Sequence, residues 1–519
     1  MKRVMNYHHL WVSAVLTAVL GAEVHLGSVF TDGLVLQREA EVALWGMAAP
    51  QEEVTLSASW GARATTQADT DGKWRVEIET VEAGGPYEVK VSSGESMVVL
   101  EDVLLGDVWF CSGQSNMEWR VQQFYSKKER QAYGAEGAPI RVLTTPYACS
   151  VTPLEELRAK KRWTPVNAQT VSRVSATAYF FARQLHRELE VPIGVIVSAW
   201  GGRKIEMFTP MRVQKEVDYI QQDYDKRMAQ LEAIRADDEP YQAYLKAKAE
   251  WQKWKRKGRP DPAVAQPVEV VHPLNKGVLP GGIYNGMVHP YRGFKIKGVI
   301  WYQGESNANL DAESQTQSAT HYSILLKRMV ASWRRHWGEV PFYYVQLPEW
   351  TEAWERPAEL EQYWPRIRQS MLEAHREIDQ SGMAVTLGLG EAHDIHPRRK
   401  KEVGERLARL ALHQTYGLDL VYGGPLAEAC QFSPQKAVVT FDTGGAPLQK
   451  ADLTGFAAED GVGQVVSVVA SVRSENEVEI QIPEGTRAVY YAWANNPKGA
   501  NLKNSEGLPA STFRFIKQD

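Results

Sequence analysis

Between residues 106 and 420 the sequence alternates short, largely apolar runs with segments whose apolar residues recur at helical spacing. That alternation leaves few architectures open. The runs are Val108–Phe110, Ile140–Leu143, Ile193–Ser198, Val299–Tyr302, Phe342–Leu347 and Ala384–Leu389. Among them, Phe181, Leu185 and Leu189 recur every fourth residue. Leu326, Met329, Trp333 and Trp337 form a second stripe, and Val403, Leu407, Leu410 and Ala411 a third. A strand that is apolar on both faces has to be covered on both, and helices between successive strands supply that cover. The pattern predicts an α/β fold built on a parallel sheet. Ligands of such sheets bind beyond the carboxyl ends of the strands. The chemically capable residues fall there: Ser115 after the first run, Gly201 and Gly202 after the third, Gln303 to Asn307 after the fourth, and Asp394 with His396 after the sixth.

The flanks read differently. Residues 23–105 hold alternating or clustered β-favouring residues (Val42–Trp45, Val54 to Ala58, Trp74 to Ile78, Val89 to Val91) separated by Ala49-Pro50, Asp71-Gly72 and Gly84-Gly85-Pro86. They predict a small N-terminal β-sandwich. From 421 to 519 the chain is again β-rich and predicts a C-terminal β-region. Inside the α/β segment, residues about 212–258 are charged and helical, and read as a solvated helical insertion or a lid over a substrate. The expected organisation is therefore a leader over 1–22, a β-domain over 23–105, a catalytic domain over 106–420 and a β-domain over 421–519. A chain of 519 residues is long enough for several cores. The leader follows from basic Lys2 and Arg3, the apolar run Leu10 to Leu20 and the small residues Gly21-Ala22. This is the layout of a secretory signal peptide, with the mature chain starting near Glu23 and the protein secreted or periplasmic.

Composition mainly excludes. A net charge of -4 gives no electrostatic case for nucleic acid or an anionic membrane surface, and no later stretch is long enough for a membrane span. The 17 Trp and 21 Tyr fit a carbohydrate partner but fit an aromatic core equally well. Three widely spaced cysteines, Cys111, Cys149 and Cys430, make neither a disulfide framework nor a metal motif; at most one bridge could form, and Cys111 reads as a small buried apolar residue.

The chemistry concentrates in Cys111-Ser112-Gly113-Gln114-Ser115-Asn116-Met117-Glu118. A serine just past a strand, with a glycine two residues before it, suits a sharp strand-to-helix turn that lifts the hydroxyl out of the sheet toward a helix N-terminus. His396 can take its proton, and a carboxylate must hold the imidazole. Asp394 is nearest in sequence; Glu391 and Glu305 are alternatives. Oxyanion donors are the backbone N–H of Ser115, Gly202 and the Asn307 side chain. A metal site built from His393, His396, Asp394 and Glu391, with Glu305, is disfavoured, since His-x-x-His alone lacks a second ligand cluster. No metal and no organic cofactor is expected.

At these residues the chain resembles the sialate O-acetylesterases of the SGNH hydrolase superfamily. The matching segments are Leu34 to Arg38, Trp109 to Glu118 (WFCSGQSNME), Trp200-Gly201-Gly202, Tyr284 to Met287, Trp301 to Asn307 (WYQGESN), Asp394 to Pro397 (DIHP) and Gly507 to Ala510. The resemblance implies a three-layer α/β/α catalytic core and a secreted serine esterase acting on O-acetylated sialic acid or another acetylated carbohydrate. Ser115 is then the nucleophile and His396 the base, with Gly202 and Asn307 as oxyanion donors. Gln114, Asn116, Gln303, Glu305, Trp200 and Arg203 would line the substrate. Many members carry the acid three residues before the histidine, where this chain has His393, so the acid stays open among Asp394, Glu391 and Glu305. Arg203 stands where a small polar residue is usual, and reads either as the partner of a substrate carboxylate or as part of a structural ion pair. An acetylxylan-type esterase, or a glycan-binding protein on an inactive hydrolase core, are the alternatives.

Overall fold

The structure is a computed structural model that describes residues 23–256, 266–308, 319, 321–353, 358, 360 and 363–518. The expected leader, residues 1–22, and the last residues of the charged insertion lie outside the described residues.

Six parallel strands form the central sheet: β1 (Ser96–Gly113), β2 (Ile140–Thr144), β3 (Ile193–Ala199), β4 (Gly298–Tyr302), β5 (Phe342–Gln346) and β6 (Ser381–Val385). Their order across the sheet is 2-3-1-4-5-6, every neighbouring pair parallel. The order reverses at β1, so the strand ends of β1, β3 and β4 border the crevice where an open α/β sheet binds its ligand. The labelled helices are α1 (Ser115–Glu118), α2 (Ala176–Leu189), α3 (Ile205–Phe208), α4 (Asp218–Ala236), α5 (Glu239–Arg256), α6 (Tyr322–Trp337), α7 (Tyr363–Glu377) and α8 (Lys400–Gln414).

The apolar stripes meet the sheet as expected. Successive strand residues point to opposite faces. Trp109 of β1 meets Phe181 of α2 with ring centroids 5.0 Å apart. The next residue, Phe110, meets Trp333 and Trp337 of α6 at 5.7 and 4.9 Å. Helices therefore lie against both faces. A large buried aromatic such as Trp109, Trp301 or Trp333 contributes about 4–6 kcal/mol of transfer free energy, before entropy, at about 25 cal/mol per Å² over ~150–250 Å². Helices α2 and α8 pack closely because Gly404 has no side chain: a Cβ there would lie 2.8 Å from Phe180 Cβ and 2.9 Å from the Thr177 carbonyl.

The boundary expected near residue 105 falls inside a single strand. β1 is 18 residues long; its first half pairs with strands Val35–Gln37 and Gly84–Ser93 of the N-terminal β-region, its second half with β3 and β4. The Val108–Phe110 run marks only the part that is apolar on both faces. The last strand also differs from its expected position, ending at Val385 rather than Leu389. The C-terminal segment forms two four-stranded antiparallel sheets. The insertion is helical, as α4 and α5, and these two helices bury little besides Ile220, Leu231 and Tyr244. All three cysteines are free, Cys111 being buried, so no bridge forms. No described helix is long and apolar enough to cross a membrane.

Candidate active site

β1 ends at Gly113, whose φ of +136° is a conformation that side chains rarely tolerate. A Cβ there would sit 2.1 Å from the carbonyl oxygen of Tyr302 at the end of β4. Gln114 donates its backbone N–H to that carbonyl at 3.0 Å. Its side-chain Oε1 accepts from Gln303 Nε2 at 3.1 Å and from the Ser306 N–H at 3.2 Å. The chain is thereby turned out of the sheet, and Ser115 opens α1. That helix is a single turn, shorter than the sequence suggests, so no long dipole stands behind the hydroxyl. What the turn supplies is a first-turn backbone N–H that has no acceptor within the helix.

His396 lies in the loop between β6 and α8, and its Nε2 is 2.9 Å from Ser115 Oγ. Two features hold the ring. It stacks on Trp119, centroids 3.8 Å apart and planes within 14°. On its other edge, Asp394 Oδ1 accepts the His396 backbone N–H at 2.8 Å and lies 3.4 Å from Nδ1. The loop turns back over two residues, and one oxygen fixes both backbone and ring. A carboxylate beside Nδ1 selects the tautomer protonated there, so the Nε2 lone pair faces the serine hydroxyl. Burial pulls the imidazole below its ordinary value of 6.5; Asp394 opposes this and the charge of Lys400 adds to it. The ring stays neutral, and able to accept a proton, to lower pH than a free histidine.

The other candidate acids are engaged elsewhere. Glu391 Oε1 accepts the Arg398 backbone N–H at 2.8 Å. Glu305 is buried and accepts from Asn116 Nδ2, which also donates to the Ile395 carbonyl at 3.0 Å. Burial raises the Glu305 carboxyl above the usual range. Lys400, fully buried at the start of α8, completes this network: Nζ donates to Asn116 Oδ1 at 2.6 Å and to the Pro397 carbonyl at 2.7 Å. It also lies 4.8 Å from the Phe124 ring centroid. Burial holds its ammonium down to about 7, against the opposing pull of Glu305. Asn116, next to Ser115, is thus bonded to both ends of the loop segment Ile395–Pro397 through Ile395 and Lys400, which fixes His396 relative to the serine. His393 points to Glu352 at 3.4 Å on the surface, away from this network. Among the described residues no cluster of three or more His, Cys, Asp or Glu could hold a metal.

Beside the serine, the loop after β3 carries Gly201 and Gly202. Glu118, at the end of α1, accepts the Gly201 N–H on Oε2 at 2.6 Å and the Tyr147 hydroxyl on Oε1. A Cβ on Gly201 would lie 3.3 Å from Ser115 Cβ, so this glycine runs directly beside the nucleophile, while a Cβ on Gly202 would meet nothing within 4 Å. Gly202 is exposed, with φ of +68°. Asn307 is buried; its Oδ1 accepts from Ile205 N–H at 3.1 Å and Gln303 Nε2 at 2.7 Å, and its Nδ2 donates to Glu206 Oε2 at 2.9 Å.

Of the residues expected to line the substrate, Gln114, Asn116, Gln303 and Glu305 are each 3% exposed or less. Their hydrogen bonds run to one another and to the loops, so they brace the serine and histidine turns. Trp200 and Arg203 are the more open members. Trp200 stacks on the exposed Tyr147, centroids 4.4 Å apart, and the Arg203 guanidinium carbon lies 5.4 Å from the Trp200 ring centroid. Arg203 has no carboxylate within ion-pair distance among the described residues; its Nη1 donates to the Gly202 carbonyl at 2.9 Å. The structural ion pair expected as one reading of it is not found among the described residues. Sequence reasoning missed Lys400, Trp119, Tyr147 and Glu206, and gave Glu118 no role. Trp119 abuts the motif and Glu118 ends it, which was a usable signal. Lys400 sits in Arg398-Arg399-Lys400-Lys401, which looks like any solvated basic run.

A family model described as "Carbohydrate esterase, sialic acid-specific acetylesterase" matches residues 274–413, the segment that holds Asn307, Asp394 and His396. The sialate O-acetylesterase of Mus musculus is 27% identical over 454 residues, 80% of this chain and 78% of the mouse protein. That of Homo sapiens is 27% identical over 450 residues, 81% of this chain and 76% of the human protein. A solved carbohydrate acetylesterase from Xanthomonas citri is 30% identical, with a TM-score of 0.77, over 95% of this chain and 100% of that one.

Proposed function

Since the chain belongs to the sialate O-acetylesterase family of carbohydrate esterases, we propose that it is a secreted or periplasmic serine esterase that hydrolyses O-acetyl esters of sialic acids. It is a carboxylic ester hydrolase with acetylesterase activity. The observation that carries the proposed mechanism is the 2.9 Å contact between Ser115 Oγ and His396 Nε2, with Asp394 on the far edge of the ring. His396 takes the Ser115 proton as Oγ attacks the acetyl carbonyl carbon. The resulting oxyanion accepts hydrogen bonds from the backbone N–H groups of Ser115 and Gly202 and from the Asn307 amide. Collapse breaks the ester bond, the imidazolium protonates the departing sugar oxygen, and acetyl-Ser115 remains. His396 then removes a proton from water, which attacks the acetyl group; acetate leaves and Ser115 regains its proton. Asp394 keeps the tautomer and stabilises the imidazolium in both halves.

Helices against both faces of a sheet ordered 2-3-1-4-5-6 support reading the core as a three-layer SGNH-type domain. The basic start and apolar run of residues 1–22 support export. An arginine two residues past Gly201, with no ion-pair partner among the described residues, supports an acidic sugar substrate.

The test measures acetate release from O-acetylated sialic acid and from acetylated xylan, by the wild type and Ser115→Ala, with and without EDTA. Release from the sialate that survives EDTA and disappears in a folded Ser115→Ala protein is the expected outcome. Preference for xylan would move the substrate class to plant polysaccharide. Glycan retention without turnover would make the chain a binding protein, and turnover undiminished in Ser115→Ala would refute the mechanism.

A further inference from the structure

A cavity of about 350 Å³ opens against Gly202, a volume within the range of small-molecule sites. One wall is the loop after β3, with Gly202, Arg203 and Lys204. The facing wall is helix α4 of the charged insertion, with Asp223, Lys226 and Arg227. Asp223 pairs with Arg227 at 3.2 Å. Glu206, at the cavity floor, accepts from Tyr219 at 3.1 Å and from Asn307 at 2.9 Å. Arg203, Lys204 and Lys226 have no ion-pair partner among the described residues. The cavity thus gathers four cations against two carboxyls, and both carboxyls are already engaged.

Gly202 belongs to two places at once. Its N–H is the proposed donor to the ester oxygen, and its backbone borders the cavity. An ester seated on Ser115 with its carbonyl toward Gly202 lies beside a residue that lines this space. We infer that the cavity receives the carboxylate-bearing part of an acidic acetylated sugar, and that the insertion, through Lys226 facing Lys204 and Arg203, supplies the discrimination between acidic and neutral sugars. This rests on the esterase reading above and assigns to α4 a task that its solvated sequence does not reveal. The helix is also tied to the site through the chain Tyr219–Glu206–Asn307. Deleting it would disturb the proposed oxyanion donor, so single side chains are the appropriate probes.

The experiment compares kcat/KM for an O-acetylated sialic acid with kcat/KM for an O-acetylated neutral sugar, in the wild type, in Lys204→Gln/Lys226→Gln and in Arg235→Gln. Arg235 lies at the far end of α4 and does not line the cavity. The expected result is that the double variant lowers the acidic-to-neutral ratio about tenfold, through KM for the acidic sugar, as loss of charge-assisted contacts of modest net worth implies. Its ratio also loses its dependence on salt, and Arg235→Gln keeps the wild-type ratio. A double variant that keeps the ratio, or an equal drop in Arg235→Gln, overturns the assignment. A wild type with no preference for the sialate overturns the substrate reading itself. A wild type with that preference and a double variant that retains it overturns only the role of the cavity.

Discussion

Replacing Asp394 by asparagine separates charge from geometry at the imidazole. The Oδ1 of Asp394 accepts the His396 backbone N–H at 2.8 Å, and an asparagine oxygen can keep that bond. The amide oxygen then still faces Nδ1, the tautomer is preserved, and only the negative charge is lost. At the observed 3.4 Å that charge is worth about 5 kcal/mol to an imidazolium at an effective dielectric of about 20, and about 1.2 kcal/mol in bulk water. The Asp394 side chain is 50% exposed, so solvent screening favours the lower half of that range, about 2–3 kcal/mol. At about 1.36 kcal/mol per tenfold in rate, kcat should fall about 30- to 150-fold. Asp394 also holds the His396 pKa up against burial, so the acid limb of the kcat/KM profile should move to lower pH in the variant. The assay is the pH dependence of acetate release from an O-acetylated sugar, with Glu391→Gln alongside, which should stay within about threefold because its partner is the Arg398 N–H. A loss below about threefold in Asp394→Asn, or an equal loss in Glu391→Gln, would refute Asp394 as the acid. A loss near 10⁴ would refute the argument that the backbone bond protects the tautomer.

In the wild type, kcat/KM should be lost as pH falls through a midpoint below 6.5, because burial favours the neutral His396 that accepts the serine proton; a midpoint above 6.5 in a pH–rate titration contradicts this. Lys400→Met should move that midpoint upward, since the Lys400 charge depresses it, and should cost about 2–5 kcal/mol through the orphaned Asn116 and Pro397 oxygens, read by urea unfolding. With a folded-state value near 7 against 10.5, the unfolded chain binds the extra proton between those limits. The wild type should therefore gain stability from this group as pH rises from about 7, and the Met variant should not. Glu118→Ala frees the Gly201 N–H and should lower kcat about tenfold with KM little changed, a smaller loss than removing an oxyanion donor outright, measured by steady-state kinetics. Gly113→Ala meets the Tyr302 carbonyl at 2.1 Å in a glycine conformation and should destabilise by about 3 kcal/mol or more, measured by thermal or denaturant unfolding.

The parallel sheet and its helices were legible because they follow from local rules. Residues such as Val299–Tyr302 are apolar on both faces and can only be a covered strand, and Leu326, Met329, Trp333 and Trp337 share one helical face and are all buried. The same logic put Ser115, Gly202, Asn307 and His396 at strand ends. It failed where a strand has two environments: β1 is one unbroken element, yet only its second half carries the pattern of a two-sided core.

The sequence by itself determined the α/β class, the serine turn and the histidine, because hydrophobic period and the conformational freedom of Gly113 are properties of a few neighbouring residues. Only the tertiary structure decided which carboxylate reaches the imidazole, that Lys400 is buried against Asn116 rather than solvated, and that Gln114, Asn116, Gln303 and Glu305 are buried and joined by hydrogen bonds around the serine and histidine turns. Those outcomes depend on distances between residues as far apart as 116 and 400, and on which charges the fold removes from water. Neither quantity is carried by local spacing.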